Sequence, residues 1–578
     1  MNDRQNINGE PDIQQQPDWQ RLFVFLCLYT LMALTDLPHV NRPWFLTVGV
    51  MTLFVMALFV LFRQLRNDRS AGVLTTGILI FWTVLVPPAV NGGDDNMAYL
   101  VFAQDFYDDF ARTFQPLSER RLFSVGGNYA LQAPVLHWCG VRGLAIVEPA
   151  FGLVLLFILL NAGTHNRGPV VRLLLTGVLG MTPFAGSSAL ANTSSVFVLA
   201  AFSAAIVMIG ARMIRQQRAA PMDLILLALL PLTAAVYRPT TAPFNFLVAG
   251  AMACYAAVSL GRWRMLAAVA LPCLALFFFS LVRYHECFGT YLYPLLGRGN
   301  HITAEGYSIG DAIAMRERLS HMASLAFRSP ILMINVCMLS AAIVKRRELR
   351  ERGWNLIVLL AYLAFCAIIV VSTGGLASSR YVFPVSVGVF CVVSAGAMGG
   401  IGLMMHPVLR SSIFRVRWCL TAGILLSFGM ARWVGGAAVE RRMLTLAPDE
   451  LAKPYLKAIQ ERATQEGAAL FISTGYERYI AEGLRGKYMI MDLPGMMVPW
   501  NRTGTNYGAG FRAYLKANNV SMIVFVPQVN ASRVRGKYSG WHGLMNRGND
   551  RHDAVMDELL AEYGAERCGP FTIVVLSR

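Results

Sequence analysis

Two adjacent aspartates, Asp94 and Asp95, stand in the stretch "NGGDDNMAYLVF", a few residues after a long apolar run. Two carboxylates at a boundary between membrane and water are costly unless they are hydrated, paired or engaged with a substrate. Carboxylates this close push each other's pKa apart or share a cation, so one can hold a metal or a ligand while the other takes a proton. The alternative is a solvated helix end.

Several cationic side chains also stand where apolar runs end. Arg238 lies in "AAVYRPTTAPF" and Arg380 in "GGLASSRYVF", both in short connections. The proline after Arg238 disfavours a regular helix there. Further candidates lie in longer connections and are Arg120, Arg121, Arg283 and His285. An arginine fork matches phosphate oxygens better than a lysine does. Snorkelling toward lipid headgroups is the alternative explanation for each arginine.

The composition indicates which elements must position these residues. The chain has 578 residues, of which 55% are hydrophobic and only 15% charged. Its apolar runs are near the ~20 residues that a helix needs to cross a bilayer. They predict a polytopic α-helical membrane protein with about thirteen transmembrane helices. The predicted spans are about 22–36, 44–62, 71–90, 143–161, 171–188, 194–211, 222–237, 242–260, 265–282, 331–344, 354–372, 382–404 and 418–435.

Basic and weakly charged connections alternate along the chain, and positive loops are retained in the cytoplasm. Basic connections include "RQLRNDRS", "RMIRQQR" and "KRRELRERG". The alternation predicts a cytoplasmic N-terminal tail over residues 1–20 and an external C-terminus. It also accounts for much of the formal net charge of +17, so the charge does not require a nucleic-acid partner.

The same alternation places all the large hydrophilic segments on one side of the membrane. The transmembrane domain, residues 21–435, carries two long external loops, 91–142 and 283–330, and residues 436–578 form an external domain. Asp94 and Asp95 then lie outside, on the side without ATP or nucleotide sugars.

The stretch "MAYLVFAQDFYDDFARTF" follows the aspartate pair in the first external loop. Its apolar and aromatic residues recur at helical spacing and predict an interfacial amphipathic helix that holds the pair close to the membrane surface. Tyr99 lies at its start. Asp105, Asp108 and Asp109 fall on or near its polar side, where we expect solvated carboxylates.

The last ~140 residues differ in kind, because short apolar runs alternate there with helical patterns. The runs are "AALFIS", "YMIMDL", "SMIVFV" and "FTIVVLS". They predict a C-terminal α/β domain with an at least partly parallel sheet. We find no cluster of catalytic residue types in it and expect a packing or acceptor-recognition role.

This organisation resembles the GT-C superfamily of integral-membrane glycosyltransferases, which includes aminoarabinose, protein mannosyl and arabinofuranosyl transferases. The residues that carry the resemblance are "GDDN" in the first long external loop and "GGLASSRYVFP" before a late span. The architecture extends the likeness over most of the chain. In that superfamily the first external loop follows span one, whereas here it follows span three, so two N-terminal helices would be an addition.

The resemblance implies a donor sugar attached to a polyprenyl phosphate. Transfer needs a base for the acceptor hydroxyl and positive charge for the departing phosphate. Asp94 or Asp95 would be the base. The other candidates would bind substrate, and they are Tyr99, Arg120, Arg121, Arg238, Arg283, His285, Arg380 and Tyr381.

The same resemblance implies the partners and the location. The acceptor would be a lipid, a glycan or a protein of the cell envelope, at the outer face of a bacterial inner membrane, with membrane lipids around the protein. The N-terminus would be cytoplasmic and the C-terminus periplasmic. No cofactor is required, and a divalent cation at Asp94 and Asp95 is the open alternative.

Other classes fit the sequence less well. Cys/His spacings typical of metal sites and glycine-rich nucleotide motifs are absent from the sequence. A transporter or flippase would also have many spans, but we see no matching halves with broken helices. A polysaccharide polymerase or O-antigen ligase is nearer, because the second external loop is rich in Arg and His (Arg283, His285, Arg298, His301, Arg316, Arg318 and His321).

Overall fold

The computed structural model of the chain describes residues 17–35, 42–66, 68–85, 98–110, 114–164, 169–185, 195–293, 295–297, 299–300, 320, 330–345, 348–373, 380–395, 452–472, 474–484, 487–491, 506–526 and 541–576. Asp94, Asp95 and the predicted span 418–435 lie outside these residues.

Most of the described chain forms a bundle of apolar α-helices. Two π-helical turns, Phe81–Leu85 and Ile146–Phe151, follow α3 and α6. The helices are α1 (Pro17–Ala33), α2 (Arg42–Leu65), α3 (Arg69–Ile80), α4 (Leu100–Asp108), α5 (Glu119–Phe123), α6 (Tyr129–Ala145), α7 (Gly152–Thr164), α8 (Pro169–Ala185), α9 (Phe197–Gln216), α10 (Pro221–Tyr237), α11 (Ala242–Val258), α12 (Trp263–Ser280), α13 (Val282–Phe288), α14 (Pro330–Lys345), α15 (Leu349–Thr373) and α16 (Arg380–Ala395).

Six helices among the described residues are long and apolar enough to cross a membrane, and five shorter apolar helices accompany them. Together with α1 they match the first twelve predicted spans. The prediction of a polytopic helical membrane protein is therefore confirmed. The total of thirteen stays a prediction, because the last predicted span lies outside the described residues.

Helix α9 lies in the centre of the bundle, and small residues let its neighbours approach closely. A Cβ atom on Gly388 of α16 would lie 2.3 Å from the carbonyl oxygen of Ala200. A Cβ atom on Gly152 of α7 would lie 2.7 Å from the backbone nitrogen of Val198. Glycine at such contacts allows the close backbone approach that favours helix association in lipid.

Helix α6 begins at Tyr129, inside the segment that the sequence assigned to the first external loop. Its first turns are buried against α2 and α4. Two polar residues there obscure the apolar run: Asn128 donates a hydrogen bond to Gln132 over 3.3 Å, and both side chains are buried. Pro134 interrupts the pattern further.

The C-terminal region forms the predicted small α/β domain. All four predicted strands are present, and one short additional strand, β4, was not predicted. The elements of this domain are α17 (Lys453–Glu466), β1 (Ala468–Ile472), α18 (Glu477–Leu484), β2 (Tyr488–Met491), α19 (Tyr507–Ala517), β3 (Val520–Phe525), α20 (Trp541–Tyr563), β4 (Glu566–Cys568) and β5 (Phe571–Val575).

These strands form one sheet in the order β2-β1-β3-β5-β4. Strand β1 is parallel to both β2 and β3, and β5 is antiparallel to β3. Leu470 and Ile523 pack on one face of the sheet, whereas Phe471 and Val524 pack on the other. Because helices cover both faces, the strands are continuous apolar runs.

Candidate functional site

The predicted base, Asp94 or Asp95, lies outside the described residues, so its role and the alternative of a divalent cation stay predictions. The described chain resumes at Ala98, and Tyr99 directly precedes α4. Tyr99 is therefore the described candidate nearest to the aspartates along the chain.

Four of the predicted substrate-binding residues come together from three separate parts of the sequence. The Cζ atoms of Arg238 and Arg380 lie 4.8 Å and 5.0 Å from the centroid of the Tyr381 ring. Nη2 of Arg380 donates a hydrogen bond to the Tyr381 hydroxyl over 3.0 Å. Tyr99 is close enough to act electrostatically on Arg238. We call these four residues the arginine–tyrosine cluster.

The local sequence explains how Arg238 reaches this position. Pro239 ends α10, so Arg238 is extended, with φ −157° and ψ 105°, although its N–H still donates to the carbonyl of Ala234 over 2.9 Å. A 3-10 turn, Pro239–Thr241, then leads into α11. The Thr241 hydroxyl donates to the Arg238 carbonyl over 3.0 Å and fixes this turn. Arg238 therefore lies at the junction of two helices and in neither.

The electrostatics of the cluster favour an anion. Burial lowers the pKa of Arg238, the tyrosines Tyr381 and Tyr99 act to raise it, and Arg380 acts to lower it. Nη1 of Arg238 is buried and has no hydrogen-bond partner within the described part of the chain. A buried guanidinium group with an unused donor and a second guanidinium nearby matches the two negative oxygens of a phosphate.

Arg121 and Arg120 lie elsewhere, on the short helix α5. Arg121 is fully buried, and its Cζ lies 4.6 Å from the Phe114 ring centroid and 5.3 Å from that of Tyr129. Its Nη1 donates to the carbonyl of Ser124. These contacts hold α5 against Phe114 and the start of α6. Arg120 acts electrostatically on Glu477 of the C-terminal domain.

Arg283 and His285 lie on α13, at the start of the predicted second external loop. Arg283 is exposed and donates to the carboxylate of Glu286 over 2.9 Å. The His285 ring stacks on Tyr291, with centroids 4.2 Å apart. Neighbouring Tyr284 donates to the carbonyl of Leu122 over 2.5 Å and so joins the two external loops. Their roles in substrate binding stay predictions, as do those of Arg120 and Arg121.

The prediction of a solvated Asp105 is wrong. Its side chain is buried, and its carboxylate accepts hydrogen bonds from the Tyr488 hydroxyl and, over 3.4 Å, from Nε2 of Gln115. Asp108 and Asp109 are exposed, as expected. Asp105 follows Val101 by one helical turn, so the two residues lie on the same face of α4. This spacing was the signal in the sequence that Asp105 is buried. The partner, Tyr488, is 383 residues away and could not be inferred.

A metal site is not visible in the described residues, where no three His, Cys, Asp or Glu side chains are grouped to hold an ion. The sequence-based candidates for a cation, Asp94 and Asp95, are not among those residues.

Comparison with known proteins supports the architecture. The crystal structure of ArnT from Cupriavidus metallidurans bound to undecaprenyl phosphate is similar to this chain, with a TM-score of 0.51 and 13% sequence identity. The likeness covers 87% of this chain and 97% of that chain. At this identity the likeness shows that the two chains share an overall fold, as the predicted resemblance in architecture requires. No protein-family model and no curated protein sequence matches the chain.

Proposed function

We propose that this protein transfers a sugar from a polyprenyl-phosphate-linked donor to a lipid, glycan or protein acceptor at the outer face of a bacterial inner membrane. The observation that carries the proposal is the arginine–tyrosine cluster. It combines a buried donor of Arg238 that lacks a partner in the described residues with the guanidinium group of Arg380. The similar fold of ArnT, whose structure holds undecaprenyl phosphate, supports the choice of ligand.

The cluster suits a phosphate at the end of a lipid chain. Arg238 lies where α10 gives way to α11, and Arg380 begins α16, so both charges lie at the ends of apolar helices. A phosphate there could remain at the membrane surface while its polyprenyl chain stays in the hydrocarbon. Tyr381 lies against both guanidinium groups and orients them for the phosphate oxygens.

In the proposed reaction, the acceptor hydroxyl gives its proton to Asp94 or Asp95 while its oxygen attacks the anomeric carbon of the donor sugar. The bond from that carbon to the phosphate oxygen breaks, and its electron pair leaves with the phosphate. The negative charge that develops on the polyprenyl phosphate lies beside Arg238 and Arg380, whose fixed positive charges lower the barrier. No nucleotide is consumed, because the donor is already activated.

The alternative of a polymerase or ligase rests on the Arg- and His-rich second external loop. Of those residues only Arg283 and His285 are described, and Arg283 is paired with Glu286 while His285 is stacked on Tyr291. The transporter alternative gains no support from the fold, because the solved structure reported above as similar is that of ArnT. Transfer from a lipid-linked donor is therefore the function that we propose.

The experiment that tests the proposal measures binding of undecaprenyl phosphate to the purified protein in nanodiscs. A lost hydrogen bond to a charged group costs about 1.5–3 kcal/mol, so Arg238→Ala and Arg380→Ala should each weaken binding about 10- to 100-fold. The matched control is Arg262→Ala, because Arg262 is exposed at the start of α12. If neither variant binds more weakly than the control, the phosphate assignment is discarded in favour of headgroup snorkelling.

A further inference from the structure

The first external loop and the C-terminal domain are joined by buried polar contacts. The Asp105 carboxylate on α4 accepts a hydrogen bond from the Tyr488 hydroxyl on β2. Oε1 of Gln115 accepts a hydrogen bond from the Ile490 N–H over 2.6 Å, and its Nε2 donates to Asp105 over 3.4 Å. Asp105 and Gln115 are 5% and 6% exposed, so these bonds are made away from water. We call Asp105, Gln115 and Tyr488 the clamp.

Strand β2 explains why this contact forms. It is an edge strand of the described sheet, and the outward N–H groups of an edge strand need partners. The side chain of Gln115 supplies one of them. A polar bond at this edge also fixes the register of the loop against the strand, which an apolar contact alone would not do.

Apolar contacts surround the clamp. Val101 of α4 packs with Ala481 and Ile490, and all three are buried. Leu117, which is 1% exposed, belongs to the core between the sheet and its helices α19 and α20. A side chain of α4 and a side chain just before α5 are thus both packed into the C-terminal domain.

Helix α4 connects this junction to the arginine–tyrosine cluster. Its nine residues span about 14 Å. Tyr99 precedes its first residue and interacts electrostatically with Arg238, while Asp105 on its second turn is held by Tyr488. Asp94 and Asp95 come a few residues before Tyr99. A short helix held by the C-terminal domain at Asp105 therefore also holds Tyr99 beside Arg238.

We propose that Asp105, Gln115 and Tyr488 are positioning residues through which the C-terminal domain holds α4, and with it Tyr99 of the arginine–tyrosine cluster, in the geometry for transfer. This inference rests on the proposed function. It assigns the C-terminal domain a part in catalysis that does not require contact with substrate. Small displacements of a residue that positions substrate are costly, because a shift of ~1 Å can lower a rate about 100-fold.

The first test measures hydrogen–deuterium exchange of residues 98–108 in the full-length protein, and it does not depend on activity. Tyr488→Phe removes the donor to Asp105, and Asp105→Ala removes the acceptor, so both should raise exchange in α4. The matched control is Tyr455→Phe, the same change on α17 of the same domain at a side chain that is 40% exposed. Unchanged exchange in both variants overturns the clamp.

The second test compares kcat and KM in a transfer assay. Tyr488→Phe and Asp105→Ala should lower kcat about 10-fold or more, and the KM for the lipid-linked donor should change less than kcat does, because of the cluster only Tyr99 adjoins α4 while Arg238 and Arg380 do not. Asp105→Asn keeps an acceptor for the Tyr488 hydroxyl and should recover most of the lost kcat. If exchange rises while kcat stays at the wild-type value, the contact is structural only and the positioning role is rejected.

The two tests separate the possible failures. If the wild-type protein transfers no sugar from any polyprenyl-phosphate donor, the proposed function is wrong, and the exchange experiment still decides whether the clamp holds α4. If the wild type is active and Asp105→Asn is as impaired as Asp105→Ala, Asp105 acts through its charge and not through the clamp.

Discussion

The arginines of the cluster and the aspartates of the first external loop carry opposite charges, and the proposed transfer needs both. The cationic half can be argued from described contacts, because Arg238 has a buried donor without a partner among the described residues and Tyr381 lies against both guanidinium groups. The acidic half rests on the position of Asp94 and Asp95 in the sequence. Charge and basicity at these two residues therefore require a direct test.

The prediction for the aspartate pair compares four substitutions. Loss of a positioned base usually costs about 10²–10⁴ in rate, whereas removal of a solvated carboxylate changes stability by ~0.5 kcal/mol or less. At least one of Asp94→Asn and Asp95→Asn should abolish transfer in a purified assay at normal expression. Asp108→Asn and Asp109→Asn are the controls, since both aspartates are exposed on or beside α4. Full activity in both of the first two variants would contradict the enzymatic proposal.

Residue types and spacing singled out the members of the cluster as separate candidates, whereas they placed Asp105 wrongly. Arg238 and Arg380 were singled out because arginines at predicted external helix ends oppose the positive-inside trend, and their role in binding stays a prediction. That rule needs no knowledge of tertiary contacts. The burial of Asp105 depends on Tyr488 and Gln115, and neither pairing leaves a pattern in the local sequence.

At the scale of elements, hydrophobic periodicity predicted what depends on local pattern. The spanning helices are long apolar runs with polar ends, and the four predicted strands are short ones. Strand β4 was missed because its three residues, Glu566–Cys568, are polar or half-buried and form a strand only by pairing with β5. The early start of α6 was missed because Asn128 and Gln132 satisfy each other inside the bundle.

Helix α18 illustrates how a local motif acquires an electrostatic consequence. Before its first turn the Thr474 N–H donates to Glu477 over 2.6 Å, as in a capping box, whereas the Thr474 hydroxyl accepts from the Tyr476 N–H, two residues on, over 3.1 Å. Glu477 is fully buried, and burial raises its pKa from 4.5 to about 7, although backbone hydrogen bonds and Arg120 oppose the shift. The capping glutamate is therefore uncharged over part of the range in which a free one would be ionised.

The raised pKa of Glu477 gives a pH prediction. Between about pH 4.5 and pH 7 the folded protein binds more protons at Glu477 than the unfolded chain does, so this contribution to stability is present at low pH and lost as the pH rises. Glu477→Gln should therefore reduce the fall in Tm of the purified protein between pH 5 and pH 8. Glu482→Gln, on the exposed side of α18, should keep the wild-type pH dependence. Equal slopes in wild type and Glu477→Gln would contradict the prediction.

At the scale of the whole molecule, four ion pairs between different helices of the described bundle join helix ends that the arginine pattern assigned to the cytoplasm. The ends of α2 and α9 and the starts of α1, α3, α8, α10 and α15 are linked in this way. The pairs are Arg63 with Asp18, Arg172 with Asp68, Arg212 with Asp223 and Arg215 with Glu351. The clamp and the arginine–tyrosine cluster involve the opposite ends. The positions of these contacts therefore distinguish the two ends of the bundle without a count of positive charges in the loops.

This separation makes the orientation of the chain testable with reporter fusions. Because positive loops are retained in the cytoplasm, the end with the ion pairs should lie inside and the end with α4, Arg238 and Arg380 outside. Fusions at positions 68, 120, 214, 310, 349 and 500 should report in, out, in, out, in and out. Positions 68, 214 and 349 adjoin the ion-paired ends and serve as internal controls for one another. An inside signal at position 120 would place the aspartate pair away from an external lipid-linked donor, and the catalytic proposal would then fail even if the fold and the phosphate site were correct.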